Sequence, residues 1–348
     1  MIKRILYTLL IMFPVLASAQ INTDRVMAIG RNALYFEDYV LSIQYFNQVI
    51  NAKPYLSDPY FYRGLAKINL DDFQGAESDC SEAIERNPFV VSAYQVRGLA
   101  RIQQNNFAGA IEDYTKALEF DPENIGVWHN MALCRIRQED YKGAKNDLDK
   151  LIAISPRYTK AYLMRGEVDL KQKDTLAAEK DFGKAIEIDR YDADTWASRA
   201  ILRLQQQRYK DAEADFDHAI RLSTRNSGVY INRALARYHQ NNLRGAMSDY
   251  DIALDIDPNN FIGHYNRGLL RAQVGDDNRA IQDFNFVIEM EPDNMMAIFN
   301  RGLLLDQTGD YKGAIKDYST VINEYPNFLL GYQYRAQARR KIGDVKGA

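Results

Sequence analysis

Apolar and polar positions along the chain follow the period of amphipathic helices, and the whole pattern recurs every 34 residues. A small residue recurs at this interval, as Gly30, Gly64, Gly98, Ala132, Gly166, Ala200, Ala234, Gly268, Gly302 and Ala336. An alanine recurs in the same way, as Ala76, Ala110, Ala144, Ala178, Ala212, Ala246, Ala280, Ala314 and Ala348. No insertion or deletion breaks the register. The sequence therefore predicts a stack of one repeated unit, rather than the two globular domains that 348 residues alone would suggest.

Each repeat is predicted to contain two short amphipathic helices. The first starts at a cap such as Asp58, with Pro59 in its first turn. The second carries alanine, a bulky residue and alanine on one face, as in Ala76, Cys80 and Ala83. A proline then ends most repeats, as Pro54, Pro88, Pro122, Pro156, Pro258, Pro292 and Pro326. The predicted repeats are residues 23–56, 57–90, 91–124, 125–158, 159–192, 193–226, 227–260, 261–294 and 295–328, with a partial tenth at 329–348.

The first helix of most repeats also carries an early aromatic residue, as Tyr60, Tyr94, Trp128, Tyr162, Trp196, Tyr230 and Tyr332. Aromatic, glycine or alanine, alanine, bulky residue, alanine and proline in this order resemble the tetratricopeptide repeat family over about residues 23–348. The resemblance implies an all-α fold, a right-handed superhelical α-solenoid of antiparallel helix pairs that forms a single domain over residues 20–348. It also implies that the first helices line a concave groove, where such proteins bind a peptide or protein segment.

Charged residues follow the same repeat. Just before the small residue stand Arg63, Arg97, Arg165, Arg199, Arg233, Arg267, Arg301 and Arg335. Three residues after it stand Lys67, Arg101, Arg135, Arg203, Arg237, Arg271 and Arg339. The second helices carry Asp79, Asp113, Asp147, Asp181, Asp215, Asp249, Asp283 and Asp317. Lysine and arginine nevertheless total 44 against 47 for aspartate and glutamate, so no global basic field exists and no nucleic-acid partner is predicted.

These charged series allow two interpretations, a basic stripe for an anionic polymer or ion pairs between packed helices. The near-zero net charge favours ion pairs. In the first repeat Ile29 and Tyr45 replace the arginine and the aspartate together. Pairing within a repeat then leaves one mismatch, Met131 with Asp147, whereas pairing across repeats leaves two. We therefore expect each arginine to pair with the aspartate of its own repeat.

A row of asparagines occupies the place, two residues before the small residue, that points into the groove in the family. Three consecutive repeats carry Asn232, Asn266 and Asn300, and an earlier repeat carries Asn130. They resemble the asparagine ladder in the superhelical arm of the O-GlcNAc transferase. An asparagine amide is both donor and acceptor, so such a row would hold an extended peptide backbone. The alternative is that Asn-Arg-Gly is simply a common sequence at this place in such repeats.

Two aromatic residues stand one place before these asparagines. Tyr265 and Phe299 are predicted to form apolar pockets beside the amides, with packing between neighbouring helices as the alternative. No repeat carries the lysine and asparagine pair of the carboxylate clamp of some chaperone-binding relatives, so no C-terminal carboxylate is predicted to bind there.

No catalytic, metal or cofactor site is predicted. The histidines occupy different places in their repeats and are expected to pack or lie on the surface: His129, His218, His239 and His264. The chain has no phosphate-cradling glycine loop and no Gly-x-Ser-x-Gly motif. Cys80 and Cys134 lie two repeats apart, so we expect two buried free thiols, because repeats contact only their neighbours.

The first 19 residues have the pattern of a secretory signal peptide. Lys3 and Arg4 precede an apolar run, and a small-x-small site ends at Ala19. Cleavage there would start the mature chain at Gln20 and place it in the periplasm or outside the cell. An uncleaved anchor is the alternative, although the run is short for a bilayer span. No later segment approaches membrane-spanning length, so no membrane insertion of the mature chain is predicted.

The leading functional hypothesis is a non-catalytic scaffold that binds a protein or peptide partner in the groove, outside the cytoplasm. The second helix of the tenth repeat has only begun at Ala348, so we expect the natural chain to continue or the sequence to be a fragment. The alternative function is therefore a substrate-recruiting arm of an enzyme whose catalytic domain lies beyond residue 348. A groove for anionic polymers is a third possibility, and partner and oligomeric state stay open.

Overall fold

The computed structural model describes residues 22–348, and these fold into nineteen α-helices without a strand. The leader predicted for residues 1–19 and the cleavage before Gln20 lie outside the described residues. The first helices of the repeats are α1 (Thr23–Tyr35), α3 (Asp58–Ile68), α5 (Val91–Gln103), α7 (Ile125–Arg137), α9 (Thr159–Lys171), α11 (Ala193–Gln205), α13 (Ser227–His239), α15 (Phe261–Gln273), α17 (Met295–Thr308) and α19 (Leu329–Lys341). The second helices are α2 (Tyr39–Ala52), α4 (Phe73–Arg86), α6 (Phe107–Phe120), α8 (Tyr141–Ile154), α10 (Thr175–Ile188), α12 (Tyr209–Leu222), α14 (Leu243–Ile256), α16 (Asp277–Met290) and α18 (Tyr311–Glu324).

Tertiary contacts divide the chain into two compact units, the first ending at Ala161 and the second beginning at Tyr162, inside α9. Within each unit, a first helix packs on the second helix of its repeat, and that second helix packs on the next first helix. Short turns make consecutive helices antiparallel. The predicted all-α architecture of stacked helix pairs, that of an α-solenoid, is confirmed. Between residues 22 and 348 no helix is both long and apolar enough to cross a membrane.

The core of each repeat forms where the small residue of the first helix meets the bulky residue of the second. A Cβ on Gly98 would lie 2.7 Å from Cε1 of Tyr114, closer than real side chains approach. The bulky residues are almost completely buried, as Phe46, Cys80, Tyr114, Leu148, Phe182, Phe216, Tyr250, Phe284 and Tyr318. The thiol of Cys134 is buried as well, so both cysteines are buried as predicted.

The helix ends follow local backbone chemistry. The Asp72 side chain accepts a hydrogen bond from the Gly75 amide at 2.9 Å, and most second helices begin with an equivalent aspartate or asparagine cap. The expectation that Asp58 caps α3 is wrong. Asp58 is the first residue of that helix, because Ser57 before it already has helical dihedral angles. Its side chain therefore lies in the first turn rather than at the cap.

Proline is not required to end the second helices. Residues before proline adopt extended angles, as Asn87 does before Pro88, and α4 ends at Arg86. Yet α10 and α12 end in the same register although Arg190 and Thr224 replace the proline. The position of the stop therefore does not depend on proline alone.

Candidate interaction surface

Seven of the eight arginines that stand before the small residue, all except Arg335 of the partial tenth repeat, form an ion pair with the aspartate of their own repeat. The closest nitrogen–oxygen distances are 2.5 to 2.8 Å in the seven pairs Arg63–Asp79, Arg97–Asp113, Arg165–Asp181, Arg199–Asp215, Arg233–Asp249, Arg267–Asp283 and Arg301–Asp317. The predicted pairing within the repeat is confirmed.

The second basic series binds the same aspartates from one helical turn further along. Its nitrogen–oxygen distances are 2.7 to 3.0 Å for Lys67, Arg101, Arg135, Arg203, Arg237 and Arg271. The aspartates of this series are only 1 to 6% exposed. These cations therefore neutralise buried carboxylates, which favours the structural interpretation of the basic series over a stripe for an anionic polymer.

The arginines also connect neighbouring repeats. Nη1 of Arg233 donates to Asp217 Oδ1 at 2.7 Å, and Nη1 of Arg267 donates to Asp251 Oδ1 at 2.8 Å, in each case 16 residues earlier. The corresponding acceptors in other repeats are Asn47, Ser81, Asn285 and Ser319. One guanidinium thus bonds to the aspartate of its own repeat and to a different polar residue of the preceding repeat, which lies two places after the aspartate of that repeat.

The fourth repeat departs from this arrangement, as its mismatch predicts. Met131 replaces the arginine and packs in an apolar cluster with Tyr94 and Tyr114. Among the residues that the structure describes, the cation that Asp147 faces is the guanidinium of Arg135, at 2.7 Å. Burial raises the pKa of Asp147 to about 6, and Arg135 offsets this only in part.

The candidate groove asparagines all lie on first helices and are partly exposed: Asn130 on α7, Asn232 on α13, Asn266 on α15 and Asn300 on α17. Asn130 belongs to the first compact unit, where it lies beside the buried hydroxyl of Tyr114. The other three belong to the second. Between residues 22 and 348, the amides of Asn232 and Asn266 find no hydrogen-bond partner. Nδ2 of Asn300 donates to the Tyr265 hydroxyl at 3.2 Å, which links two neighbouring repeats.

The two candidate aromatic residues differ in exposure. Tyr265 is half-buried, with its ring centroid 5.8 Å from that of Phe284, and burial raises the pKa of its hydroxyl. Phe299 is 9% exposed and packs on Tyr318, Phe328 and Tyr334 at centroid distances of 5.0 to 5.8 Å. Phe299 therefore packs between helices, the alternative considered for both rings, whereas Tyr265 is partly exposed and its hydroxyl accepts from Asn300.

The histidines take part in ring packing. His218 stacks on Trp196 at 4.2 Å between centroids and His239 on Tyr209 at 4.5 Å, while His129 meets Tyr158 edge-on at 5.9 Å. Nδ1 of His264 lies 2.9 Å from Asp283 Oδ1. Within the described chain no three histidine, cysteine or acidic side chains form a group suited to a metal ion.

Models of known protein families match most of the described chain. A sequence model described as TPR repeat matches residues 98–134. Two models described as Tetratricopeptide repeat match residues 125–158 and 159–192, and residues 198–261 and 265–327. The chain belongs to the tetratricopeptide repeat family. Comparison of this tetratricopeptide repeat protein with curated proteins returned no match.

Solved structures of similar fold include other tetratricopeptide repeat proteins. One from Parabacteroides merdae ATCC 43184 has 21% identity and a TM-score of 0.55, covering 72% of this chain and 98% of its own. The C-terminal part of a TPR repeat-containing protein from Cytophaga hutchinsonii has 17% identity and a TM-score of 0.56, covering 68% and 97%. PilF of Pseudomonas aeruginosa has 18% identity and a TM-score of 0.56, covering 61% and 97%. At this identity the similarity bears on the fold alone.

The sequence of this tetratricopeptide repeat protein carries a further periodic series that marks the contacts between repeats. Six acceptors for the arginine Nη1 atoms belong to a 34-residue series of short polar residues, Asn47, Ser81, Thr115, Asp149, Asp217, Asp251, Asn285 and Ser319, in which Thr115 faces Met131 instead of an arginine. The series marks the contact between one second helix and the following first helix. It has one exception, Gly183.

Proposed function

We propose that this tetratricopeptide repeat protein is a non-catalytic scaffold that binds an extended peptide segment of a partner along its first helices. The proposed site in the second compact unit consists of Asn232, Asn266 and Asn300 with the partly exposed Tyr265. Phe299 supports it from the core, and Asn130 offers the same chemistry in the first compact unit. Members of this family act mainly by binding proteins or peptides, which supports the proposal.

The observation that carries the proposal is the unused hydrogen-bonding capacity of Asn232 and Asn266. Each amide is partly exposed and makes no hydrogen bond within residues 22–348. An extended peptide presents unpaired backbone N–H and C=O groups, which an amide satisfies with one donor and one acceptor. The neighbouring arginines are engaged with aspartates, so affinity for such a segment would depend little on its charge.

The test uses the two amides that have no partner. A peptide is selected from a random library on the wild-type protein, and its affinity is measured by fluorescence anisotropy for wild type and for Asn232→Ala/Asn266→Ala. We expect about tenfold to hundredfold weaker binding, since each lost amide removes hydrogen bonds of about 0.5–1.5 kcal/mol. Helicity by circular dichroism should not change.

Asn278→Ala/Asn323→Ala is the matched control, because it removes two exposed asparagines from the second helices α16 and α18. This control should bind like wild type. Equal affinity of the Asn232→Ala/Asn266→Ala variant, equal loss in the control, or a failure to select any peptide would rule out the asparagine site.

We further propose that the protein acts outside the cytoplasm after cleavage behind Ala19, on the strength of the leader pattern. Intact mass spectrometry of protein expressed with its leader in a bacterial host should give a chain beginning at Gln20 in the envelope or medium fraction. A chain that keeps Met1 would contradict the cleavage.

A further inference from the structure

The polar side chain of the 34-residue series is missing at Gly183. At the corresponding place the other repeats carry a short polar side chain, which in most of them accepts a hydrogen bond from the arginine 16 residues later. Here that arginine is Arg199, which keeps its two bonds to Asp215, at 2.8 and 2.9 Å. Its Nη1 makes no hydrogen bond within the described chain. A Cβ built on Gly183 would meet only this atom, at 4.0 Å.

A cavity of about 610 Å³ opens at this gap, inside the second compact unit. Gly183 and Arg199 line it, and Trp196 stacked with His218 forms part of its wall. Apolar surface comes from Ile186, Tyr191 and Leu222. None of the asparagine positions of the proposed groove takes part, so this cavity is a separate site.

Two further departures from the repeat add positive charge at the same cavity. Arg190 stands where most repeats have proline. Arg221 stands where five others carry an acid, as Glu85, Glu119, Glu187, Asp255 and Glu289. Both guanidinium groups line the cavity, and neither has an ion-pair partner within the described chain.

Negative charge at the cavity is limited. Its acidic residue is Glu187, and Lys184 holds that carboxylate at 2.9 Å. The Trp196 N–H is engaged with the Arg190 carbonyl oxygen at 3.0 Å, which fixes the loop that carries Arg190. The cavity thus combines unpaired guanidinium donors with apolar walls, a combination suited to a carboxylate on an apolar or aromatic group.

We propose that the cavity between Gly183, Trp196, Arg199 and Arg221 binds a carboxylate carried by an aromatic or apolar group. The ligand carboxylate accepts from Nη1 of Arg199, in place of the acceptor that the preceding repeat lacks at Gly183, and Arg190 and Arg221 add positive charge beside it. Two sources share this chemistry, a free aromatic acid and an acidic side chain flanked by aromatic residues in a peptide.

The test titrates the full chain with both sources by calorimetry. The free acid is 3-phenylpropanoate, with 3-phenylpropanamide as its neutral match. The peptide is acetyl-Phe-Asp-Phe-amide, with acetyl-Phe-Asn-Phe-amide as its match. The chain has two tryptophans, so Trp128→Phe leaves Trp196 as a fluorescent reporter in the cavity wall. We expect one acid to bind, to change this fluorescence and to bind more weakly at high salt; the tighter of the two identifies the source.

Two substitutions should weaken binding at the cavity by introducing residues that other repeats carry at the same places. Gly183→Asp supplies the acceptor found in the next two repeats and should engage Arg199 Nη1, lowering affinity about tenfold or more with no loss of helicity. Arg221→Glu restores the acid of the neighbouring repeats and should act likewise. Arg244→Glu, an exposed arginine of α14 away from the cavity, is the matched charge control and should bind like wild type.

Three results would overturn the proposal: neither acid binds at millimolar concentration, the neutral amides bind as well as the acids, or Gly183→Asp binds like wild type. If Gly183→Asp fails to fold, Arg221→Glu and Arg244→Glu decide alone, because both change only exposed side chains.

Discussion

At the scale of single residues, contacts between individual side-chain atoms limit how closely the two helices of a repeat pack. The small residue of each first helix lies against the bulky residue of the second, and the tolerance differs between repeats. A Cβ on Gly166 would lie 2.6 Å from Cε1 of Phe182, whereas a Cβ on Gly268 would lie 3.1 Å from Cε1 of Phe284. The same substitution should therefore have opposite effects at two equivalent places.

Gly166→Ala should destabilise the protein by up to about 2 kcal/mol, because the overpacking cost of about 1–3 kcal/mol outweighs the gain in helix propensity of about 1 kcal/mol. Gly268→Ala should be neutral or slightly stabilising, since Phe284 needs to move by only a few tenths of an ångström. Urea denaturation of the two variants beside wild type measures the difference. Equal destabilisation of both would contradict the argument from these distances.

Helices and turns differ in how well the sequence predicts them. The period of 34 residues and the amphipathic faces predicted every helix pair, because burial of one face at fixed spacing leaves few alternatives. The turn within each repeat contains a left-handed residue that the sequence analysis did not predict. It falls at the same place in each repeat, as Glu37, Asp71, Asn105, Glu139, Lys173, Gln207, Asn241, Gly275, Gly309 and Gly343. Most of these are not glycine, so composition alone did not show the conformation.

The candidate sites were predictable to different degrees. Arg–Asp pairing within a repeat could be predicted from two coincident exceptions in the series. The burial of Phe299 could not, because it depends on Tyr334 and Phe328 of the surrounding helices and loop rather than on its own place. The cavity at Gly183 was missed for a related reason. A glycine in a second helix becomes informative only once Arg199 is known to point at it.

At the scale of the whole molecule, the near-zero net charge reflects a matched set of buried carboxylates and cations. Each buried aspartate of the series depends on cations for its charge, and most have two, one from each basic series. Asp181 and Asp317 each have a single arginine that binds both carboxylate oxygens, whereas Asp147, opposite Met131, has Arg135 on one oxygen and shares it with Asp140. The stability of the whole chain should therefore respond to pH at this one repeat in a direction opposite to ordinary acid denaturation.

The pKa of Asp147 is about 6 in the folded chain and about 3.9 when unfolded, so the folded chain binds more protons between these values. The stability that protonated Asp147 contributes is fully present below pH 4. It is lost as the pH rises through 6, which lowers the free energy of unfolding by at most about 3 kcal/mol.

Asp147→Asn should remove this pH-dependent loss of stability and be at least as stable as wild type at pH 7. Asp113→Asn, which deprives Arg97 and Arg101 of their shared carboxylate, should instead lose about 1.5–3 kcal/mol at pH 7. Urea midpoints between pH 4.5 and 7.5 measure both variants beside wild type. Parallel profiles for Asp147→Asn and wild type, or an equal loss in the two variants at pH 7, would show that Arg135 alone holds Asp147 as a full charge.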